Sequence, residues 1–373
     1  MTAPLHVLYL VPSLAAGGAE RVVIEHLRRL PRERFAPELA VFRAGGPRRA
    51  EVPADVAVHE IRGPGLLARG LALRRLLEER RIEVVSSHLA HANVVNLAAS
   101  PRRVARVTTV HADRRGIEHA GLRSRYLMLL QRALARRADR IVFLCPETAA
   151  AMARAYGARP AQVAVVPNGV DPDELRGRAD LAPPPAWPAG GLRVLAAGRL
   201  AAQKGFDLLL RAFAIARGRG LDGSLLILGE GEERAALERL RGELRLERVV
   251  ALPGHAGNPY PAMRHADMFV LSSRYEGFPL VLLEALALGL PALATACPAG
   301  PFDLLGEGAG LLLRPHDPGA LADGLLALAA DPARRADLSR RGTERAQQYR
   351  WAAVIDRVAA LLEVPRTSSD ARA

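Results

Sequence analysis

The 373-residue chain has 52 basic residues against 39 acidic ones, a formal net charge of +13, with half its residues hydrophobic and only 4% aromatic. That is the composition of an ordinary globular protein, which excludes a disordered or fibrous chain and leaves few rings to stack on single-stranded nucleic acid. Cys145 and Cys297 stand alone in different halves, so no disulfide framework or zinc pattern can be built and a reducing compartment is expected.

The first twenty residues have no basic lead-in and run into Gly17 and Gly18, so a signal peptide is not expected. Short apolar, β-branched runs then alternate with amphipathic stretches. The runs are LHVLYLV (5–11), PELAVF, VAVHEI, EVVSSH (83–88), RVTTV (106–110), RIVFLC (140–145) and QVAVVP (162–167). GLRSRYLMLLQRALARRA (121–138) is the clearest helical pattern among them. Residues 171–191 hold five prolines without periodicity and read as a linker. The alternation restarts with LRVLAAG (192–198), SLLILG (224–229), RVVAL (248–252), DMFVL (267–271), PALATA (291–296) and GLLL (310–313). A last helix covers 351–364, and 365–373 reads as a frayed tail. Continuous apolar strands alternating with helices predict an α/β fold: two Rossmann-like, doubly wound parallel-sheet domains, 1–170 and 192–350, facing across a cleft. FPLVLLEALALGLPALATAC (278–297) is apolar enough to suggest a membrane span, but Gly289 and Pro291 divide it into a helix and a strand of buried core.

Charge is unevenly placed. Residues 1–170 hold 27 arginines against 14 acidic residues, whereas 171–373 are balanced at 25 and 25. The excess predicts a polyanionic partner for the first half. Arg69, Arg74, Arg75, Arg80 and Arg81 punctuate one leucine-rich stretch; Arg123, Arg125, Arg132, Arg136 and Arg137 punctuate 121–138. A solvated basic face and docking on anionic lipid headgroups both fit this pattern.

Lys204, in GRLAAQKGFD (198–207), is the only lysine beside 51 arginines. It follows a strand and opens a helix, the place where doubly wound sheets bind phosphate, and it offers a compact ammonium rather than a planar fork. SSRYEGFPLVLLEAL (272–286) follows another strand and places Glu276 in a turn and Glu284 inside a helix. Pro279 is expected at the first helical position, leaving the positive helix end exposed. A carboxylate such as Glu284 on an otherwise apolar helix suits ribose hydroxyls; helix capping plus one satisfied carboxylate is the plainer reading. Asp171-Pro-Asp173 has the form of a metal-binding string, yet Asp-Pro at a loop entry is ordinary turn chemistry. His88 and His91 have loose metal spacing without an acidic or cysteine partner nearby, so they are expected to wall an acceptor cleft; no metal is expected.

The ordered set of GGAE (17–20), His111 after RVTTV, NGVD (168–171), GRL…QKG (198–205), NPY (258–260), Glu276 and Glu284 with seven residues between them, and YRW (349–351) resembles the retaining glycosyltransferases of family 4, which have the GT-B fold. The resemblance spans nearly the whole chain. It implies that Arg199 and Lys204, beside Gly198, grip the diphosphate of a nucleotide-sugar donor. Glu284 would hold the ribose, and Glu276 the hydroxyls of the transferred sugar. Backbone amides of Gly277 and Phe278 at Pro279 would join the phosphate contacts, and Gly17 and Gly18 would let the first loop approach closely. His111 would serve the sugar near the acceptor, and the last helix would pack back on the first domain. It further implies retention by attack from the leaving-group side and, more softly, a bacterial surface-polysaccharide or lipid-linked saccharide pathway. A cytoplasmic enzyme, peripheral at the inner membrane face, follows as the expectation, with a glycan or polyprenyl-diphosphate-linked acceptor, no nucleic acid and no cofactor. A sugar-nucleotide epimerase or a non-catalytic binding relative are the other readings.

Overall fold

The computed structural model describes residues 3–15, 17–111, 121–181, 186–297 and 299–363. The expected tail at 365–373 and the side chain of Arg123 lie outside this description. Two compact units result: Met1–Gly169 with Trp351–Ala373, and Val170–Arg350.

In the first unit, strands β1 (Leu5–Ser13), β2 (Phe35–Arg43), β3 (Val58–Glu60), β4 (Val84–His88), β5 (Ala105–Val110), β6 (Arg140–Phe143) and β7 (Val163–Val165) alternate with helices. The helices are α1 (Gly18–Arg29), α2 (Gly65–Glu79), α3 (Ala90–Ala99), α4 (Gly121–Leu134) and α5 (Pro146–Met152). The sheet is parallel, in the order β3-β2-β1-β4-β5-β6-β7. Val7 to Val11 of β1 are fully buried, which is why the strand reads apolar without alternation. Its Leu8 and Leu10 pack with Leu73 and Leu77 of α2, while Tyr9 faces His26 of α1.

The second unit opens with α6 (Pro172–Asp180) and runs β8 (Leu192–Ala197), α7 (Phe206–Gly218), β9 (Gly223–Leu228), α8 (Arg234–Glu243) and β10 (Val250–Gly254). It continues with α9 (Tyr260–His265), β11 (Met268–Leu271), α10 (Leu280–Ala287), β12 (Ala292–Thr295), α11 (Gly300–Leu305), β13 (Leu311–Leu313), α12 (Pro318–Ala330) and α13 (Pro332–Gln347). Its parallel sheet has the order β10-β9-β8-β11-β12-β13, so the strand order reverses between β8 and β11. Loops after these two strands flank the switch point, where such sheets open a crevice. The chain then returns to the first unit as α14 (Trp351–Leu362), where Trp351 meets the ring of His26 edge-on at 5.7 Å.

Two expectations change. The stretch read as a linker begins instead with α6, packed against α9. The Asp171 side chain accepts from the backbone N–H groups of Asp173 and Glu174, and Pro172 follows at the first helical position. Asp-Pro is thus a helix start here rather than a turn into open chain. Pro279 is the N-cap of α10, with extended ψ, and Leu280 begins the helix. The apolar stretch 278–297 is buried as α10 and β12, and among the described residues no helix is long and apolar enough to cross a membrane. Both cysteines are free and buried.

Candidate active site

Lys204 closes a 3₁₀ turn, Ala202–Lys204, in the loop after β8. Its Nζ donates to Glu276 Oε1 at 2.6 Å, and Ser273 Oγ donates to the same oxygen at 2.6 Å. Glu276 is 95% buried in the loop after β11, so the two loops at the switch point meet in one charged pair. Three further bonds lace them: Arg274 N–H to Gln203 O, Gln203 Nε2 to Tyr275 O, and Ser272 Oγ to Lys204 O. Arg274 also forks onto both oxygens of Asp207 at 2.8 and 2.7 Å. Burial works against that carboxylate, but Arg274's bonds and charge hold it below its ordinary value. Gly205, at φ 61°, is required here because a Cβ would collide with the carbonyl oxygen of Ser272. Arg199 is exposed, and its guanidinium has no side-chain or backbone partner among the described residues. With one oxygen of Glu276 tied twice, the other is left to accept hydroxyls, while Arg199 and Lys204 supply positive charge in two geometries.

Glu284 lies on α10, 96% buried, and accepts a hydrogen bond from Tyr260 Oη at 3.0 Å. Tyr260 begins α9 and carries the guanidinium of Arg178 over its ring, 4.7 Å from the centroid. Gly277 and Phe278 are backed by α11: Gly300 N–H donates to Gly277 O at 3.0 Å, and a Cβ on Gly300 would strike Phe278 and Pro279. Phe278 is buried beside Tyr349. Gly198 packs against Gly229, where a Cβ would collide with the Gly198 carbonyl oxygen. Arg234 ties the loop after β9 to strand β10 by donating to Gly229 O, Leu252 O and both oxygens of Glu230.

In the first unit, Gly17 is the N-cap of α1, and the carboxylate of Glu20 folds back over it. Burial raises the pKa of Glu20. Gly18 is the first helical residue. His111 follows β5, and its Nε2 lies 2.8 Å from Nδ1 of His88. His88, expected to wall an acceptor cleft, is 99% buried, stacked on Tyr9 with centroids 5.8 Å apart, and flanked by His26. Burial first, then the neighbouring His111 and His26, hold its pKa well below 6.5. Burial likewise lowers His111 to about 4 and, with His111's charge, His26 to about 3. His91 is separate from this cluster. It pairs with Arg69 Nη1 at 3.1 Å and tilts over Phe42. A cavity beside His26 and His88, about 20 Å³ and large enough for a water, is lined by Val22, Asn168 and Leu361.

The second unit therefore brings Lys204 to Glu276 and Glu284 to Tyr260; the first unit, by itself, brings His111 to His88. Tyr260, Ser273, Asp207, Arg274 and Arg234 were not singled out by sequence. Only NPY contained a pointer, at Tyr260; Ser273 bonds Glu276 within one loop, Asp207 and Arg274 pair across 67 residues, and Arg234 fixes backbone carbonyls that leave no side-chain pattern.

Two parallel α/β units, each with a switch point, match the fold of GT-B glycosyltransferase structures. HepE of Anabaena, solved in complex with UDP, is similar over 96% of this chain and 99% of its own, with TM-score 0.80 at 20% identity. The sequence carries the matching domains: residues 16–174 match the model for Glycosyltransferase Family 4, and 178–345 that for Glycosyl transferases group 1. The D-inositol 3-phosphate glycosyltransferase of Saccharomonospora viridis is 35% identical over 242 residues, 61% of this chain and 56% of the relative. An N-acetylgalactosaminyltransferase of Campylobacter jejuni, named for a diphospho-undecaprenol-linked acceptor, is 34% identical over 157 residues, 42% of each. The chain spans about half the length of the curated relatives it matches.

Proposed function

We propose that the chain is a retaining glycosyltransferase moving a hexose or N-acetylhexosamine from a nucleotide-diphosphate sugar, UDP-sugar favoured, to a glycan or lipid-linked saccharide in bacterial surface-polysaccharide synthesis. The observation that carries this reading is the Lys204–Glu276 pair at the switch point of the second sheet. Breaking the bond between the anomeric carbon and phosphate puts negative charge on the diphosphate and positive charge on the sugar ring. Lys204 and Arg199 stabilise the first; Glu276 orients the hydroxyls of the second, and Glu284, held by Tyr260, takes the ribose. His111 is assigned to the transferred sugar. The acceptor attacks from the side the diphosphate leaves, which preserves the anomeric configuration without a carboxylate nucleophile. No metal is assigned a part. UDP in HepE and the lipid-linked acceptor named for the Campylobacter relative support the donor and acceptor classes.

Titration of UDP and GDP by calorimetry with chelator present tests the donor site on wild type and Lys204→Met. UDP binding that weakens in the variant, with transfer reduced about 10²–10³-fold, is expected for the loss of one preorganised charge partner. Equal binding by wild type and variant overturns the role of Lys204. Retention is read from the anomeric coupling of the product by NMR; an inverted product rejects the mechanism.

We further propose that an anionic membrane surface receives the first unit, at the cytoplasmic face. Helices α2 and α4 both pack on α3 and expose Leu67, Leu71, Leu122, Tyr126 and Leu129. Arg75, Arg125, Arg132 and Arg136 stand exposed on or just after these helices, whereas Arg69, Arg80 and Arg137 are engaged by His91, Glu38 and the carbonyls of Ala98 and Ser100.

A further inference from the structure

We infer that Ser86 and His88 fix the tautomer of His111, so that His111 presents its Nδ1 as an N–H donor. This deepens the reading above and rests on the assignment of His111 to the transferred sugar. Ser86 lies two residues before His88 on β4, with its side chain buried. A buried hydroxyl needs an acceptor for its proton, and among the described residues the acceptor within reach of Ser86 Oγ is His88 Nε2, at 3.3 Å. The opposite nitrogen of His88, Nδ1, then carries the ring proton and donates to His111 Nε2 at 2.8 Å. Accepting there, a neutral His111 must hold its own proton on Nδ1. The relay runs Ser86 Oγ–H to His88 Nε2, His88 Nδ1–H to His111 Nε2, with one proton on each ring.

Geometry around the relay keeps it in place. His88 is clamped by the stacked ring of Tyr9 and the edge of His26, so its ring cannot turn to exchange the two nitrogens without moving both. Among the described residues, the groups packed around it are Tyr9 on β1, His26 on α1 and His111 after β5, and none is a carboxylate that would favour an imidazolium. All three imidazoles stay neutral at pH 7, since burial lowers each below 6.5. Neutral rings have one donor and one acceptor apiece, which is the condition a directional relay needs. The outcome for the reaction is a donor to the oxygen of a sugar hydroxyl, not a base that removes its proton. Ser86 and His88 are positioning residues in this scheme.

The full chain labelled with ¹⁵N in its histidine rings tests the assignment by long-range ¹H–¹⁵N NMR at pH 7.5, the His111 signals being identified by their loss in His111→Asn. Wild type is expected to show a protonated Nδ1 and an unprotonated Nε2 at His111. Ser86→Ala should shift His111 toward the Nε2–H form, and Ser86→Thr should restore the wild-type pattern. His88→Phe keeps the stack on Tyr9 while removing both nitrogens, and should free His111 in the same way; if it fails to fold, Ser86→Ala carries the test. In transfer assays Ser86→Ala should lower kcat about five- to tenfold, the loss expected of one ordinary hydrogen bond, with donor KM changed less than twofold. An Nε2–H tautomer in wild type, or a tautomer unmoved by Ser86→Ala, overturns the relay. A shifted tautomer with unchanged kcat overturns its positioning role. If wild type neither binds UDP nor transfers sugar, the glycosyltransferase reading fails, while the tautomer measurement still decides the relay.

Discussion

Lys204 is held by Glu276 and faces the turn that Gly205 makes possible. At φ 61° and with the Ser272 carbonyl oxygen against it, position 205 admits no Cβ without moving the β11 loop. Gly205→Ala is therefore expected to destabilise the second unit by about 1–3 kcal/mol and to weaken UDP binding, because the same shift separates Lys204 from Glu276. Denaturant melts with parallel UDP titration check this; an alanine variant with unchanged midpoint and affinity would sink the argument. Sequence named Lys204 and Glu276 because unusual residue types stand after strand ends, and Glu284 because a carboxylate interrupts an otherwise apolar helix. It could not show that Ser273 and Lys204 share one oxygen of Glu276, or that Tyr260 reaches Glu284, since those partners meet only when separate loops fold together. The surroundings of His88 were hidden for a related reason: its stack on Tyr9 and its bond to His111 join residues from separate strands and loops.

At the scale of elements, all thirteen apolar runs become strands, because residues buried on both faces of a parallel sheet leave a continuous signal. Helix starts were harder to read: Asp171-Pro172 served α6 and Pro279 capped α10, although both looked like turns or first helical residues. Helices α2 and α4 carry their own prediction. Exposed leucines with arginines around them match an interface where apolar side chains insert and cations meet headgroups. Co-sedimentation should show binding to vesicles containing phosphatidylglycerol, weaker binding to phosphatidylcholine alone, and loss with rising salt. The pair Leu67→Ser and Leu71→Ser should reduce the salt-resistant part. Equal binding to neutral and anionic vesicles, or none to either, rejects the membrane surface and leaves a solvated basic face.

For the whole molecule, the buried histidines make the two units unequal toward acid. Unfolded, these rings titrate near 6.5; folded, His111 falls to about 4, His26 to about 3, and His88 lies well below 6.5. Between pH 6.5 and 4 the unfolded chain binds more protons than the folded one, so stability rises with pH across that window. The stabilisation is complete above pH 6.5 and is lost as pH falls. Peptide-resolved hydrogen exchange at pH 7.5 and pH 5 should show β1, β4 and β5 losing protection while β8 to β13 keep theirs. Equal loss in both units would contradict the role given to the cluster.

The return of α14 to the first unit has a consequence for synthesis. Gly169 packs against Trp351, and Val170 pairs with Arg350, so the chain leaves one unit and re-enters it at adjoining points, with the second unit inserted in between. A ribosome must therefore finish the whole second unit before it makes the helix that covers His26. During that interval the first unit exists without its final helix, with Val22, His26 and the cavity they line uncovered on the side Leu361 later fills. The unit translated first is the last to be completed.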